Sequence, residues 1–126
     1  EKPQRKDFLE ASQFIHPTVV FRKKALLQVN GYRAVKETRR AEDYDLFMRL
    51  YAEGLEGYNL QKPLLRYYID DRKTSYQCRI DEVKVRCQGF KHLGLMPWAL
   101  PYVIRPLLVG LIPKRMLRIW KQDLRN

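Results

Sequence analysis

Two neighbouring acids, Glu42 and Asp43, are the residues of this chain whose types and position come nearest to catalytic chemistry. They directly precede apolar residues, including Leu46 and Leu50, that fall on one face of a predicted helix. Acids in a first helical turn most often cap the helix or interact with its dipole. The alternative is a carboxylate at the mouth of a cleft that removes the proton of an incoming hydroxyl. The residues alone leave both interpretations open.

Asp43 and Asp45 also form an Asp-x-Asp pattern, which is typical of divalent metal sites that hold nucleotide phosphates. Residues two apart on a helix diverge by about 200°, so these two carboxylates cannot hold one ion. Asp70 and Asp71 are a second pair of acids, but adjacent acids in a loop are more often only solvated. We therefore predict no metal-ligating residues in this chain.

The elements that must position the acids are short and of mixed type. Three helices are predicted from apolar spacing and helix-stop residues, over 23–29, 42–53 and 75–93. Three short strands are predicted from β-branched and aromatic residues, over 14–21, 56–60 and 64–69. The expected fold class is therefore α/β.

Composition narrows the class of protein. The chain has 126 residues and a net charge of +11, with 25 Lys+Arg against 14 Asp+Glu. Hydrophobic residues at 45% and aromatic residues at 12% exclude a disordered segment. Two cysteines exclude a disulfide-built scaffold. The positive charge favours an anionic partner, which could be nucleic acid, a membrane surface or a phosphorylated substrate.

An ordered series of motifs resembles the second half of family 2 glycosyltransferases. The series consists of HPTVVFR at 16–22, GY at 31–32 and EDYDLFMR at 42–49. It spans residues 14–75, about half of the chain, and its order and spacing match the family. The resemblance implies a GT-A fold, of which residues 1–75 would form the acceptor-side part. It also implies that the chain is a fragment of a larger enzyme whose nucleotide-binding half lies elsewhere.

The activity implied by the resemblance is transfer of a sugar, with inversion, in cell-envelope or polysaccharide synthesis. The donor would be a nucleotide-sugar, and the acceptor a hydroxyl of a saccharide or of a lipid-linked compound. Asp43 would be the catalytic base, and Glu42 would position Asp43 or contact the acceptor. A divalent metal (Mg or Mn) is expected in the full-length enzyme. Residues 1–126 alone are expected to be inactive and to bind no metal.

Five further residues are candidate substrate contacts. Arg22, Arg39 and Arg40 could contact the diphosphate or the acceptor, although exposed arginines are usually only solvated. Tyr44 could stack on a sugar ring or could simply pack in the core. His16 begins the first matching motif and is included as a candidate, although it has no Ser or Cys partner at a recognisable spacing.

The last third of the chain differs in character, and residues 76–126 are expected to form a helical extension. Residues 95–126 combine apolar and basic residues, while Arg105 and three prolines oppose a straight transmembrane helix. We expect this segment to lie in the interface of an anionic membrane, on its inner, cytoplasmic face. The alternative is that its apolar face packs on the rest of the protein.

Two other functions remain open from the sequence, namely a non-catalytic interaction domain and a basic nucleic-acid-binding module. Nucleic acid is not the expected partner, because the positive charge gathers around an apolar segment and no nucleic-acid-binding signature is present. Self-association is expected for a chain that has lost half of a domain, since apolar surface would be exposed.

Overall fold

The computed structural model describes residues 1–66 and 75–112, and these residues form a helical structure. The four α-helices are α1 (Lys23–Gln28), α2 (Glu42–Ala52), α3 (Tyr76–His92) and α4 (Leu100–Leu111). Three short 3₁₀ helices lie at Arg5–Leu9, His16–Thr18 and Lys36–Thr38. The predictions for α1, α2 and α3 are confirmed to within one residue at each end.

The predicted α/β fold class, and with it the GT-A-like fold, is wrong, because no strand occurs in the residues that the structure describes. Residues 14–21 instead contain the 3₁₀ helix His16–Thr18, in which Pro17 is the second residue. The Thr18 hydroxyl donates a hydrogen bond to the carbonyl of Ile15. Residues 56–60 and 64–66 form no regular element, and residues 67–69 lie outside the described ranges.

The physical reason is that β-propensity is realised only when a strand has a neighbour to pair with. Within the described part of the chain, Glu1 and Asn59 exchange both backbone N–H···O bonds, each at 2.8 Å. That exchange is the hydrogen-bonded pair of an antiparallel ladder. It does not extend to further residues, so no strand results.

Helix α2 lies at the centre of the hydrophobic core. Its residues Leu46, Phe47 and Met48 are almost completely buried. Phe8, from the first 3₁₀ helix, packs edge-on against Tyr51 with ring centroids 4.7 Å apart. The other face of the core comes from α3 and from the residues that follow it, chiefly Val85, Phe90, Leu93 and Ala99.

Three of the helices end in the same way. After α2, Gly54 adopts φ +77°, and the N–H of Leu55 bonds the Leu50 carbonyl at 3.0 Å. This is the Schellman arrangement, which satisfies carbonyls that the helix end leaves free. Helices α1 and α3 end on the same pattern, at Asn30-Gly31 and at Gly94. The helix stops predicted at Asn30-Gly31 and Gly54 are therefore confirmed.

Arg86 joins α3 to two other parts of the chain, the first 3₁₀ helix and α4. Its buried guanidinium donates to the Leu9 carbonyl at 3.0 Å and to the Glu82 carboxylate at 3.0 Å. It also lies 3.5 Å from the carbonyl of Tyr102 in α4. Pro106, four residues later, has no N–H to offer that carbonyl, so Arg86 supplies the donor that proline removes.

The two helical glycines offer a matched test of this packing. A Cβ at Gly89 in α3 would lie 2.3 Å from the Sδ and Cε atoms of Met48, whose side chain is completely buried. A Cβ at Gly110 in α4 would meet only Tyr76 and Arg79, at 3.4 Å or more.

We expect Gly89→Ala to lower the free energy of unfolding by about 1–2 kcal/mol, because overpacking outweighs the gain in helix propensity. Gly110→Ala should instead leave stability unchanged or raise it by up to about 1 kcal/mol. Urea unfolding followed by circular dichroism measures both variants. Equal effects of the two substitutions would contradict the close approach of α2 and α3.

Candidate functional site

A buried carboxylate organises the site. Asp45, in the first turn of α2, is only 2% exposed, and it accepts hydrogen bonds from two arginines. Arg49 donates from Nε at 2.8 Å, one helical turn further on. Arg33 binds both carboxylate oxygens, with its Nε 3.1 Å from Oδ2 and its Nη2 on Oδ1. Two guanidinium groups thus compensate a charge that would otherwise be costly to bury.

The same arginines attach the loop at residues 29–33 to α2. Arg49 donates to the carbonyls of Val29 and Gly31 at 2.6 and 2.7 Å. Arg33 also donates to Gln88 of α3 at 3.1 Å. Tyr32 therefore lies between two residues that are both held in place, Gly31 through its carbonyl and Arg33 through its side chain.

Tyr32 and His16 form a hydrogen-bonded pair near the start of α2, because Arg33, the residue after Tyr32, binds Asp45 in the first turn of that helix. The Tyr32 hydroxyl lies 2.7 Å from Nε2 of His16, and the ring centroids are 5.5 Å apart. Burial raises the pKa of the Tyr32 hydroxyl, and the negative charges of Asp43 and Glu42 raise it further. The structure thus brings the first motif, the Gly-Tyr motif and the acid pair together.

Asp43 is half-buried and lines an open cleft of about 390 Å³. Its Oδ1 accepts the backbone N–H of Tyr44 at 2.8 Å, one of the N–H groups that the helix start leaves free, although the N-cap residue of α2 is Ala41. The neighbouring Glu42 has a buried Oε2 atom with no hydrogen-bond partner in the described part of the chain. Both interpretations of the acid pair are therefore compatible with its position.

The first turns of α3 form a wall of the same cleft, which the sequence did not indicate. The cleft is lined by four carboxylates and three guanidinium groups, those of Glu37, Asp43, Asp81, Glu82, Arg40, Arg79 and Arg86. Cys78 is also part of the lining, and its Sγ lies 3.2 Å from the Ser75 hydroxyl. The hydrogen bond with Ser75 lowers the pKa of this thiol, and Arg40 lowers it further.

The remaining candidate substrate contacts are either buried, exposed in the cleft lining, or exposed outside the cleft. Tyr44 is 6% exposed, its hydroxyl bonds the Phe8 carbonyl, and Arg86 lies over its ring at 5.3 Å. Burial raises the pKa of Tyr44 to about 12. Arg40 is exposed and lines the cleft. Arg22 and Arg39 are exposed but are not part of the cleft lining.

Sequence reasoning missed three residues of the site, namely Tyr32, Arg33 and Asp45. The signal for Asp45 was present, since Asp45 and Arg49 have the i,i+4 spacing of a helical ion pair. No local signal marks Arg33, which reaches Asp45 from a loop twelve residues earlier. Tyr32 belonged to a matching motif but gave no indication that it would lie beside the acids.

Metal ligation has no support among the described residues, where no group of three His, Cys, Asp or Glu side chains could hold an ion. Asp70 and Asp71 lie outside the described ranges. The divalent metal expected in the full-length enzyme therefore has no assigned ligand among the described residues.

Asp45 and Asp43 allow a matched comparison on one helix. Asp45→Asn should lower the free energy of unfolding by roughly 3 kcal/mol, because two arginines lose the charge that they compensate. Asp43→Asn should cost about 1 kcal/mol or less, since it removes only a partly exposed interaction with the helix terminus. Urea unfolding of both variants is the measurement. A cost for Asp43→Asn equal to that for Asp45→Asn would contradict the assignment of the buried charge.

Comparison with known proteins points to one activity. Over 107 residues the chain is 34% identical to the Bacillus subtilis (strain 168) protein named "Putative glycosyltransferase EpsE". The matched region covers 82% of this chain and 38% of that protein, so the chain spans well under half the length of the relative. No family model matches the chain, and no solved structure matches it. The similarity supports a glycosyltransferase, and it includes most of the elements that build the site.

Proposed function

We propose that this chain is the acceptor-binding part of a glycosyltransferase in which Asp43 is the catalytic base. The observation that supports the proposal most directly is the half-buried carboxylate of Asp43 in the wall of an open cleft. A cleft of about 390 Å³ can hold a monosaccharide-sized group. The named relative makes transfer of a sugar the activity that fits such a carboxylate best.

The charge of the cleft favours an acceptor over a nucleotide. The chain carries a net charge of +11, yet the cleft holds four carboxylates against three guanidinium groups. A diphosphate needs an excess of positive charge or a set of backbone donors. Hydroxyl groups instead need a mixture of hydrogen-bond donors and acceptors, which carboxylates and guanidinium groups supply together. The same balance argues against nucleic acid as the occupant of this cleft.

The proposed reaction is a single displacement that requires few protein groups. Asp43 accepts the proton of the acceptor hydroxyl as that oxygen forms its bond to the anomeric carbon of the donor sugar. The bond from the anomeric carbon to the nucleoside diphosphate breaks on the opposite face, so the configuration is inverted. Glu42 is next to Asp43 in the chain and adds a second negative charge, but its Oε2 is buried and Glu42 does not line the cleft.

Replacement of Asp43 tests the proposed base. In the full-length protein, Asp43→Asn should lower kcat by about 10²–10⁴-fold, which is the usual contribution of a general base. Glu53→Gln is the matched control, because it neutralises an exposed acid at the other end of α2 and should leave turnover unchanged. The assay is release of nucleoside diphosphate from UDP- and GDP-sugars with methyl glycosides as acceptors. Near-normal turnover of Asp43→Asn would return Asp43 to a capping role.

We also propose that the chain binds an anionic membrane surface on its cytoplasmic side, through a face of α4. Four residues at helical spacing are each about half exposed or more, and we call them the α4 stripe: Leu100, Ile104, Leu108 and Leu111. Trp98, just before the helix, is 86% exposed. No helix in the described residues is long and apolar enough to cross a membrane. An apolar stripe of this kind suits a helix that lies in the interface.

Charge complementarity supports an anionic lipid surface as the occupant of the α4 stripe. Residues 95–126 contain six basic residues against the single acid Asp123. Each basic residue near an anionic bilayer contributes about 1 kcal/mol to binding. A membrane-bound position of this kind would bring the Asp43 cleft close to a lipid-linked acceptor.

Vesicle co-sedimentation tests this placement. We expect strong binding to phosphatidylglycerol vesicles, weak binding to phosphatidylcholine vesicles and loss of binding with added salt. Replacing Ile104 and Leu108 together by Asn should weaken binding about tenfold or more, because apolar burial is lost. Leu27→Asn, on α1, is the control, since Leu27 is equally exposed but lies off the stripe. Equal sedimentation with both lipids at every salt concentration would indicate aggregation and contradict the proposal.

A further inference from the structure

A second polar surface lies near the first turn of α2, apart from the cleft, and it contains an exposed aromatic ring. Tyr32 is 42% exposed, although its hydroxyl is hydrogen-bonded to His16. Neither Tyr32 nor His16 belongs to the cleft lining, whereas Asp43 does. The first turn of α2 thus adjoins two different surfaces, since Asp43 lines the cleft and Asp45 binds Arg33, the residue that follows Tyr32.

We infer that Tyr32 and His16 form a binding position for a pyranose ring beside Asp43, separate from the cleft. This inference rests on the proposed function and deepens it. An aromatic face offers apolar contact to the C–H groups of a sugar ring, while its polar tip stays hydrated or hydrogen-bonded. The imidazole of His16 and the carboxylates beside Tyr32 supply partners for the hydroxyl groups of that sugar.

The rigidity of Tyr32 makes it a better contact surface than an ordinary exposed tyrosine. The residues on both sides of Tyr32 are held in place. The Gly31 carbonyl accepts a hydrogen bond from Arg49, and the Arg33 side chain donates to Asp45. The Tyr32 hydroxyl is held at 2.7 Å by His16. A side chain that is already ordered loses little conformational entropy on binding.

The tyrosine hydroxyl also remains protonated at neutral pH. Burial and the nearby carboxylates of Asp43 and Glu42 raise the pKa of this hydroxyl above its ordinary value of 10.0. It therefore keeps its proton, and while His16 occupies one of its hydrogen-bonding sites, another remains for a ligand. This arrangement differs from that of Tyr44, whose ring is buried and whose hydroxyl already donates to the Phe8 carbonyl.

A direct binding measurement tests the inference without any turnover. In this chain, tyrosine rings labelled with ¹³C would be titrated with methyl glycosides of glucose, galactose and N-acetylglucosamine. We expect the ring signals of Tyr32, assigned through Tyr32→Phe, to shift on addition of a glycoside. Tyr58 is the matched reference, because it is 60% exposed and is bonded to none of these groups. Shifts at Tyr58 equal to those at Tyr32, or none at Tyr32, would overturn the inference.

Kinetics in the full-length protein then show which sugar occupies the position. Tyr32→Ala should raise the KM of one substrate about tenfold, since loss of an aromatic contact costs of that order. Tyr32→Phe retains the ring and should change that KM by no more than about twofold. A rise in the acceptor KM would identify an acceptor unit, and a rise in the donor KM would identify the transferred sugar.

The two proposals fail in distinguishable ways. If Asp43→Asn retains turnover, the proposed base is wrong, while sugar-induced shifts at Tyr32 can still be observed. If Asp43→Asn abolishes turnover but Tyr32→Ala leaves both KM values unchanged, the catalytic proposal stands and the Tyr32 binding position is overturned. His16→Ala should move KM in the same direction as Tyr32→Ala and by a smaller factor, because it removes one hydrogen bond and leaves the ring in place.

Discussion

The buried charge of Asp45 is the constraint on which the geometry of the site depends. A carboxylate that is 2% exposed must be compensated, and the compensation comes from one arginine on its own helix and one from a distant loop. Because Arg49 also binds the carbonyls of Val29 and Gly31, the end of α1 and the loop after it are held against α2. The carboxylate thereby links three segments that are apart in the amino-acid sequence, and these links fix the position of the first turn of α2.

Helix α2 has two roles that divide along its length. Its first turn carries Asp43, which lines the cleft, and Asp45, which binds Arg33, the residue after Tyr32, and charge and hydrogen bonding dominate there. Its later residues, from Leu46 to Tyr51, are packed among aromatic and aliphatic side chains of the core. A helix held this tightly on its apolar face presents its N-terminal carboxylates in a defined direction, which is what a general base requires.

The net charge of the chain does not show how the charged residues are distributed over the molecule. The chain as a whole is strongly basic, yet the cleft contains slightly more carboxylates than guanidinium groups. Part of the basic charge is used internally, since Arg33, Arg49 and Arg86 are bound to carboxylates and to backbone carbonyls. Six further basic residues lie in residues 95–126, whose described part also carries the exposed α4 stripe. These residues do not form the uniform basic surface that a nucleic-acid-binding protein would present.

The sequence by itself determined helices α1, α2 and α3 and the ends of α1 and α2, because apolar spacing, Asn30-Gly31 and Gly54 act through hydrogen bonds only a few residues long. It also singled out the acid pair through the order of its motifs, and the comparison with a named relative supports the same activity. Only the tertiary structure decided that residues 14–21 and 56–60 are not strands, since β-propensity needs a paired neighbour and the described part supplies none beyond Glu1 and Asn59. Only the tertiary structure showed that Tyr44 is buried while Tyr32 is exposed beside the acids, and that α3 forms a wall of the cleft. Such features depend on contacts between residues far apart in the chain, and no local pattern encodes which distant side chain will compensate a buried charge.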